Sequence, residues 1–181
     1  VFLLPFLVIM AFRKRIPWLY FGLIPIVYLV TVLPVVFLGR PLLEALLVYA
    51  KQSDTFAVLS MNAPNLYSLF SREWYSVILP IGVITAIIVI AYWVYSTSQI
   101  KIDLDNKYII LIAVISTALV PFVLPKMHDR YFYQADVFSF MAATLLPEIW
   151  FVPMLFQLSS GITYLIFLFR MQRAVVFIGA L

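Results

Sequence analysis

Residues 16–39 and 75–98 contain no charged side chain. A helix needs about 20 predominantly apolar residues to cross the hydrocarbon core of a bilayer. Both stretches are long enough, which predicts membrane-crossing helices. The overall make-up agrees: 65% of the residues are hydrophobic and 11% charged, whereas a soluble domain is roughly half apolar and a quarter charged. The chain has no cysteine, so disulfides and thiolate metal sites are excluded. The net charge of +4 is small, and in a membrane protein it bears on loop placement rather than on nucleic acid.

Read from its start, the chain has a partial span over residues 1–12, ended by Arg13, Lys14 and Arg15. Residues 16–39 hold Pro17, Pro25 and Pro34, which predict a long, kinked span. Next, Pro41 suits a first helical turn. Leu42, Leu43, Leu46 and Leu47 share a side that avoids Glu44 and Lys51, as in a short helix lying along the membrane surface. Residues 52–74 are the one long polar connection. A clean span at 75–98, a polar turn at 99–107 and a span at 108–125 follow. A charged cluster comes next, then an apolar run at 131–147 that is short for a crossing. A span at 149–169 is closed by Arg170 and Arg173, and residues 174–181 begin another.

The expected fold is all-α, a polytopic transmembrane helical bundle with about five spans or near-spans and partial ones at both ends. Residues 1–181 are taken as a single transmembrane domain. Within it lie an external loop with a short interfacial helix at 40–74 and a charged external segment at 126–133. The chain begins at Val1 and stops at Leu181 inside apolar runs, so it is read as a piece of a longer polytopic protein. Alternation puts residues 13–15, 99–107 and Glu148 on one face, with five Lys and Arg, and 40–74, 126–133 and 170–173 on the other, with seven. The positive-inside rule alone would weakly place the second face in the cytoplasm.

The charge is densest at 124–137, "LPKMHDRYFYQADV". Lys126 and Arg130 are four residues apart, and His128, the sole histidine, joins them on one side of an extended segment. Three potential cations at the end of a span suit a phosphate or pyrophosphate at the membrane surface. Arginine offers a planar fork of donors, lysine a compact charge, and histidine a donor that can carry a proton. Asp129 can orient His128 or pair with a cation. Asp136, seven residues beyond Asp129 and so on one helical face with it, enters an apolar run, where ionisable groups are functional candidates; it can equally cap a helix start. Tyr131, Phe132 and Tyr133 can stack on a sugar ring or line a lipid groove. Against this stands ordinary anchoring: Lys and Arg snorkel at span ends, and Tyr forms interfacial belts. A second candidate is "MNAPNLYSLF" at 61–70, where Asn62 and Asn65 bracket Pro64. Their amides can bind sugar hydroxyls, or cap turns and helices. Ser53, Asp54 and Glu73 read as solvated loop residues, and Gln157, Ser159 and Ser160 as hydrogen-bonding partners between helices. Trp18, Trp74, Trp93 and Trp150 fit the interfacial belt. No metal-binding histidine pair, phosphate-binding glycine loop or nucleophile elbow occurs.

"LPKMHDRYFYQADVFSF" resembles the P-x-M-H-E-R-Y segment of bacterial mannosyltransferase-like proteins related to the second mannosyltransferase of GPI-anchor synthesis, within the GT-C superfamily of membrane glycosyltransferases. "LSMNAPNLYSLF" is similar to their N-A-x-N-L-W/Y segment, and order and spacing fit over residues 16–170. Asp129 stands where that family usually has Glu. The resemblance implies an integral membrane transferase, in a bacterial inner membrane, that uses a polyprenyl-phosphate-linked sugar such as mannose. The cluster would face the non-cytoplasmic side, against the charge count. His128, Asp129 and Arg130 would be catalytic. Lys126, Arg130, Tyr131, Tyr133, Asn62, Asn65 and Asp136 would bind substrate or phosphate. The general base would come from an upstream external loop outside these residues. No cofactor is certain: the lipid-linked sugar is the donor substrate, and a divalent metal is left open but not indicated. Expected partners are membrane lipids, the lipid-linked sugar and other membrane subunits, not nucleic acid. Two other functions fit the same residues: a transporter or flippase for an anionic lipid or sugar phosphate, and a non-catalytic subunit of a membrane complex.

Overall fold

The computed structural model describes residues 2–48 and 57–169. Lys51, Ser53, Asp54, Arg170, Arg173 and the span expected from residue 174 lie outside the described residues. The chain is mostly helical: α1 (Leu4–Phe12), α2 (Leu23–Phe37), α3 (Leu42–Leu46), α4 (Tyr75–Gln99), α5 (Asn106–Val123), α6 (Tyr133–Leu145) and α7 (Phe151–Phe169), with a small parallel pair of strands, β1 (Ser60–Met61) and β2 (Met127–His128).

Among the described residues, three helical stretches are long and apolar enough to cross a membrane: Trp18–Phe37, Arg72–Gln99 and Asn106–Val123. They coincide with the runs expected at 16–39, 75–98 and 108–125. Of the five or so spans and near-spans expected, the described residues show three. At 1.5 Å per residue the 13 residues of α6 extend about 20 Å, against roughly 30 Å of hydrocarbon. Helix α7 is uncharged over its 19 residues and is not among those three stretches.

The structure divides into two compact units, Met10–Ala57 and Val1–Ile9 with Val58–Leu181. In the first, the Arg13–Arg15 stop works through backbone geometry. Lys14 takes φ 56°, and the Lys14 and Arg15 N–H groups donate to Ala11 and Met10 carbonyls at 2.9 Å each, which closes the last turn of α1. The end of α2 is built alike. Gly39, at φ 96°, lets its own N–H reach the Val36 carbonyl at 2.9 Å and the Arg40 N–H reach Val35 at 3.2 Å. Of the expected surface helix, the described residues show a short turn, α3, tied to α2 by the Tyr28 hydroxyl, which donates to the Leu46 carbonyl at 2.8 Å. No residue of α2 is buried, as suits a helix whose apolar surface is left for lipid.

In the second unit, α5 is the central element. Ile110, Ala113, Val114, Thr117 and Pro121 form a buried stripe at helical spacing, and Ile112, Ser116, Val120 and Val123 form a second one. Helix α5 packs against α6, α6 against α7, and α4 beside α5. Ile110, Val114 and Ala142 make a core covered by Phe138, Ile149 and Phe156. The buried residues of α4 are Gly82, Ala86 and Val94. Asp105 begins α5 by accepting the Tyr108 N–H at 3.0 Å, an N-cap placed just before the apolar run. Ser116 accepts the Phe6 N–H at 3.2 Å and donates to the Phe2 carbonyl at 2.7 Å. A first-turn N–H of α1 thereby finds a partner on another helix.

Candidate functional site

The two segments singled out in the sequence lie against each other. Strand β1, which opens the Asn segment, pairs in parallel with β2 of the charged segment, Ser60 beside Met127 and Met61 beside His128. Asn62 adds a bridge to His128, and the Lys126 N–H donates to the Leu59 carbonyl at 2.7 Å. Two non-glycine residues adopt the left-handed conformation at this staple: Asn62 (φ 58°), just after β1, and Lys126 (φ 63°), just before β2. Asparagine tolerates that region; lysine is strained there.

Asn65 is fully buried. Its amide donates to the Pro121 and Leu124 carbonyls at 3.4 and 3.3 Å, and its Oδ1 accepts the Tyr67 N–H at 3.1 Å. Both N–H bonds are therefore spent on the end of α5, and no donor remains for a sugar hydroxyl. Of the two roles the sequence left open for Asn65, the structure displays the cap. Tyr67, buried as well, donates its hydroxyl to the Val123 carbonyl at 2.9 Å. Burial pushes its pKa up, which keeps the hydroxyl protonated and donating.

The charged segment leaves β2 through a 3-10 turn, Asp129–Phe132. The Asp129 Oδ1 accepts the Arg130 N–H at 2.7 Å. The His128 ring meets Tyr131 edge-on at 5.6 Å, and Tyr131 meets Phe2 at 5.2 Å. Desolvation by burial lowers the His128 pKa, the Arg130 charge lowers it further, and Asp129 partly opposes them. The imidazole is therefore mainly neutral at pH 7. The expected meeting of three cations is thereby revised. Arg130, exposed at the surface, stands by a neutral histidine. The Lys126 ammonium is tethered to α4, donating to the Tyr75 hydroxyl at 2.9 Å. Its 5.4 Å distance from the Tyr75 ring centroid fits a position beyond the hydroxyl edge rather than over the ring face.

Asp136 and Asp129 do not share a continuous helical face, because the 3-10 turn intervenes. Asp136 is 5% exposed. It accepts from the Ser160 hydroxyl at 2.9 and 3.1 Å on its two oxygens, a link from α6 to α7 of the kind expected for Ser160. Tyr133 is 65% exposed at the start of α6, with its ring outside the stack of His128 and Tyr131. Tyr164, which the sequence reading did not single out, lies within electrostatic reach of Asp129, Asp136 and Arg130. Its spacing, four residues after Ser160, is the signal that could have found it.

A cleft of about 740 Å³ runs along α5, α6 and α7. Its walls are apolar, including Leu111, Ala118, Phe122 and Phe156. Pro64 and Phe132, one from each stapled segment, contribute to its lining, and Ser139, Ser159 and Ser160 add hydroxyl-bearing residues. Among the described residues no three His, Asp or Glu side chains gather closely enough to hold a metal ion. No family model, curated protein or solved structure matches the chain.

Proposed function

We propose that this chain is part of an integral membrane glycosyltransferase that takes its sugar from a polyprenyl-phosphate donor. The observation that carries the reading is the joining of the two motif segments into one site. The β1–β2 staple brings Asn62 against His128, and Pro64 and Phe132 from the same segments border an apolar cleft. A lipid-linked anion needs such a pair of features: a groove for the tail and a cation for the phosphate. Arg130 is the anion-binding group. Its guanidinium can grip two phosphate oxygens at once. Neutral His128 adds one N–H. As the oxygen of an acceptor hydroxyl bonds to the anomeric carbon, giving its proton to a base from outside these residues, the bond from that carbon to the lipid phosphate breaks. Negative charge then grows on the phosphate oxygens, and fixed donors stabilise that charge more than they stabilise the ground state. Asp129 holds the turn that carries Arg130, and Lys126 extends the positive field from its tether on Tyr75. Tyr131 supplies a ring beside His128 for the sugar face.

The test is turnover by the purified full-length protein. Polyprenyl-phosphate mannose and glucose are supplied separately, and released polyprenyl phosphate is measured. His128→Ala and Arg130→Ala are expected to abolish transfer while membrane insertion is unchanged. Near-normal transfer by both variants would remove the site assignment. Movement of the lipid across the bilayer without release of polyprenyl phosphate would replace the transferase by a flippase.

A further inference from the structure

We infer that Asn65, Tyr67 and Gly82 form a latch that fixes the direction in which the charged segment leaves α5. The last carbonyls of a helix have no partner within the helix. Here three of them at the end of α5 are capped from the 62–70 loop: Pro121 and Leu124 by Asn65, Val123 by Tyr67. Pro125 follows and has no N–H to give. Lys126 then takes its left-handed turn with its N–H on Leu59, and Met127 and His128 pair with Ser60 and Met61. From Pro121 to His128, partners in residues 59–67 therefore recur along the backbone. A left-handed lysine costs on the order of 1 kcal/mol or more, and the latch offsets that strain.

The third member sits on a membrane-crossing helix. A Cβ at Gly82 would lie 2.6 Å from the Tyr67 Oη and 2.7 Å from its Cε1. Tyr67 is 6% exposed, so its ring cannot retreat without leaving the Val123 carbonyl. A single methyl group on α4 thus acts through Tyr67 on the segment that carries His128 and Arg130, and touches neither. Gly82, Tyr67 and Asn65 are positioning residues. Their effect on turnover rests on the glycosyltransferase reading; their effect on the segment does not.

The chain has no cysteine, so one introduced thiol reports locally. Met127→Cys, in β2, is labelled with a water-soluble maleimide in the full-length protein. In this background Gly82→Ala and Asn65→Asp are expected to raise the labelling rate at least about threefold, and Tyr67→Phe, which removes only one hydrogen bond, by less. Gly22→Ala, where nothing lies within 4 Å, should leave the rate unchanged. A thiol placed instead at Ala86, fully buried on α4, should stay unlabelled in the latch variants, which separates local release from unfolding. In turnover, Gly82→Ala should lower kcat at least tenfold while KM changes less than threefold, because Arg130 is still present but no longer held in place. Unchanged labelling in Gly82→Ala, Asn65→Asp and Tyr67→Phe would overturn the latch, as would parallel labelling at positions 127 and 86. Faster labelling at 127 alone, in a protein that releases no polyprenyl phosphate, would leave the latch standing and remove the glycosyltransferase reading.

Discussion

Ser160→Ala should destabilise the protein by about 1.5 kcal/mol through Asp136. The Asp136 carboxylate is 5% exposed and so is Ser160. One hydroxyl proton serves both carboxylate oxygens, at 2.9 and 3.1 Å, so the pair counts as one hydrogen bond rather than two. In a soluble core, leaving such an acceptor without its partner costs about 1–3 kcal/mol. Between membrane helices the same bonds average only about 0.6 kcal/mol, with an upper end near 1.7, because the separated helices find other partners. A nearly buried carboxyl belongs toward that upper end. Deleting one oxygen leaves almost no cavity, so packing adds little. The double variant Asp136→Leu with Ser160→Ala removes both polar partners and should recover most of the loss, which makes the coupling energy the decisive quantity. Unfolding of the helices by sodium dodecyl sulfate in bicelles, followed by circular dichroism, measures it. A loss below about 0.3 kcal/mol for Ser160→Ala, or a coupling of zero, would refute the idea that this bond joins α6 to α7 energetically.

The pH response of His128 has a definite sign. Burial and Arg130 hold its pKa below the ordinary 6.5, so the folded state resists protonation. The associated cost is absent above about pH 6.5 and grows as pH falls through the folded value. As the sole histidine, His128 gives a single imidazole resonance, and a titration midpoint above 6.5 in the unliganded protein would contradict the assignment; His128→Gln should flatten the loss of stability on acidification. At Asn62, whose φ is 58°, Gly should be tolerated or mildly stabilising. Val, which resists that region, should lower stability by about 1–2 kcal/mol, and equal melting temperatures for the two variants would argue against the left-handed turn. Asp105→Ala should cost roughly 1 kcal/mol through loss of the α5 cap, visible as reduced thermal stability that Asp105→Ser largely restores.

The two chain segments that later meet were both conspicuous in the sequence, yet their roles were not equally readable. The charge at 126–130 stands out against apolar flanks, and so does the Asn-Ala-Pro-Asn turn. Whether an asparagine amide faces a ligand or a helix end is a matter of which carbonyls lie beside it. Those of Pro121 and Leu124 are 56 and 59 residues away from Asn65. The same holds for Gly82, an unremarkable glycine in an apolar helix until Tyr67 is placed against it. Lys126 and His128 looked alike as potential cations. Tethering to Tyr75 and desolvation separate them, and both depend on neighbours that local spacing does not supply.

By itself, the sequence located the three helical stretches that are long and apolar enough to cross a membrane. That information is local: length, absence of charge, and stop signals such as Arg13–Arg15. The short run at 131–147 was legible in the same way; tertiary structure decided that Asp136 binds Ser160 across two helices, and that a two-residue β staple joins Asn62 to His128. Pairing, burial and desolvation arise between residues distant in the chain. No periodicity within a single helix encodes which partner a buried polar group will find.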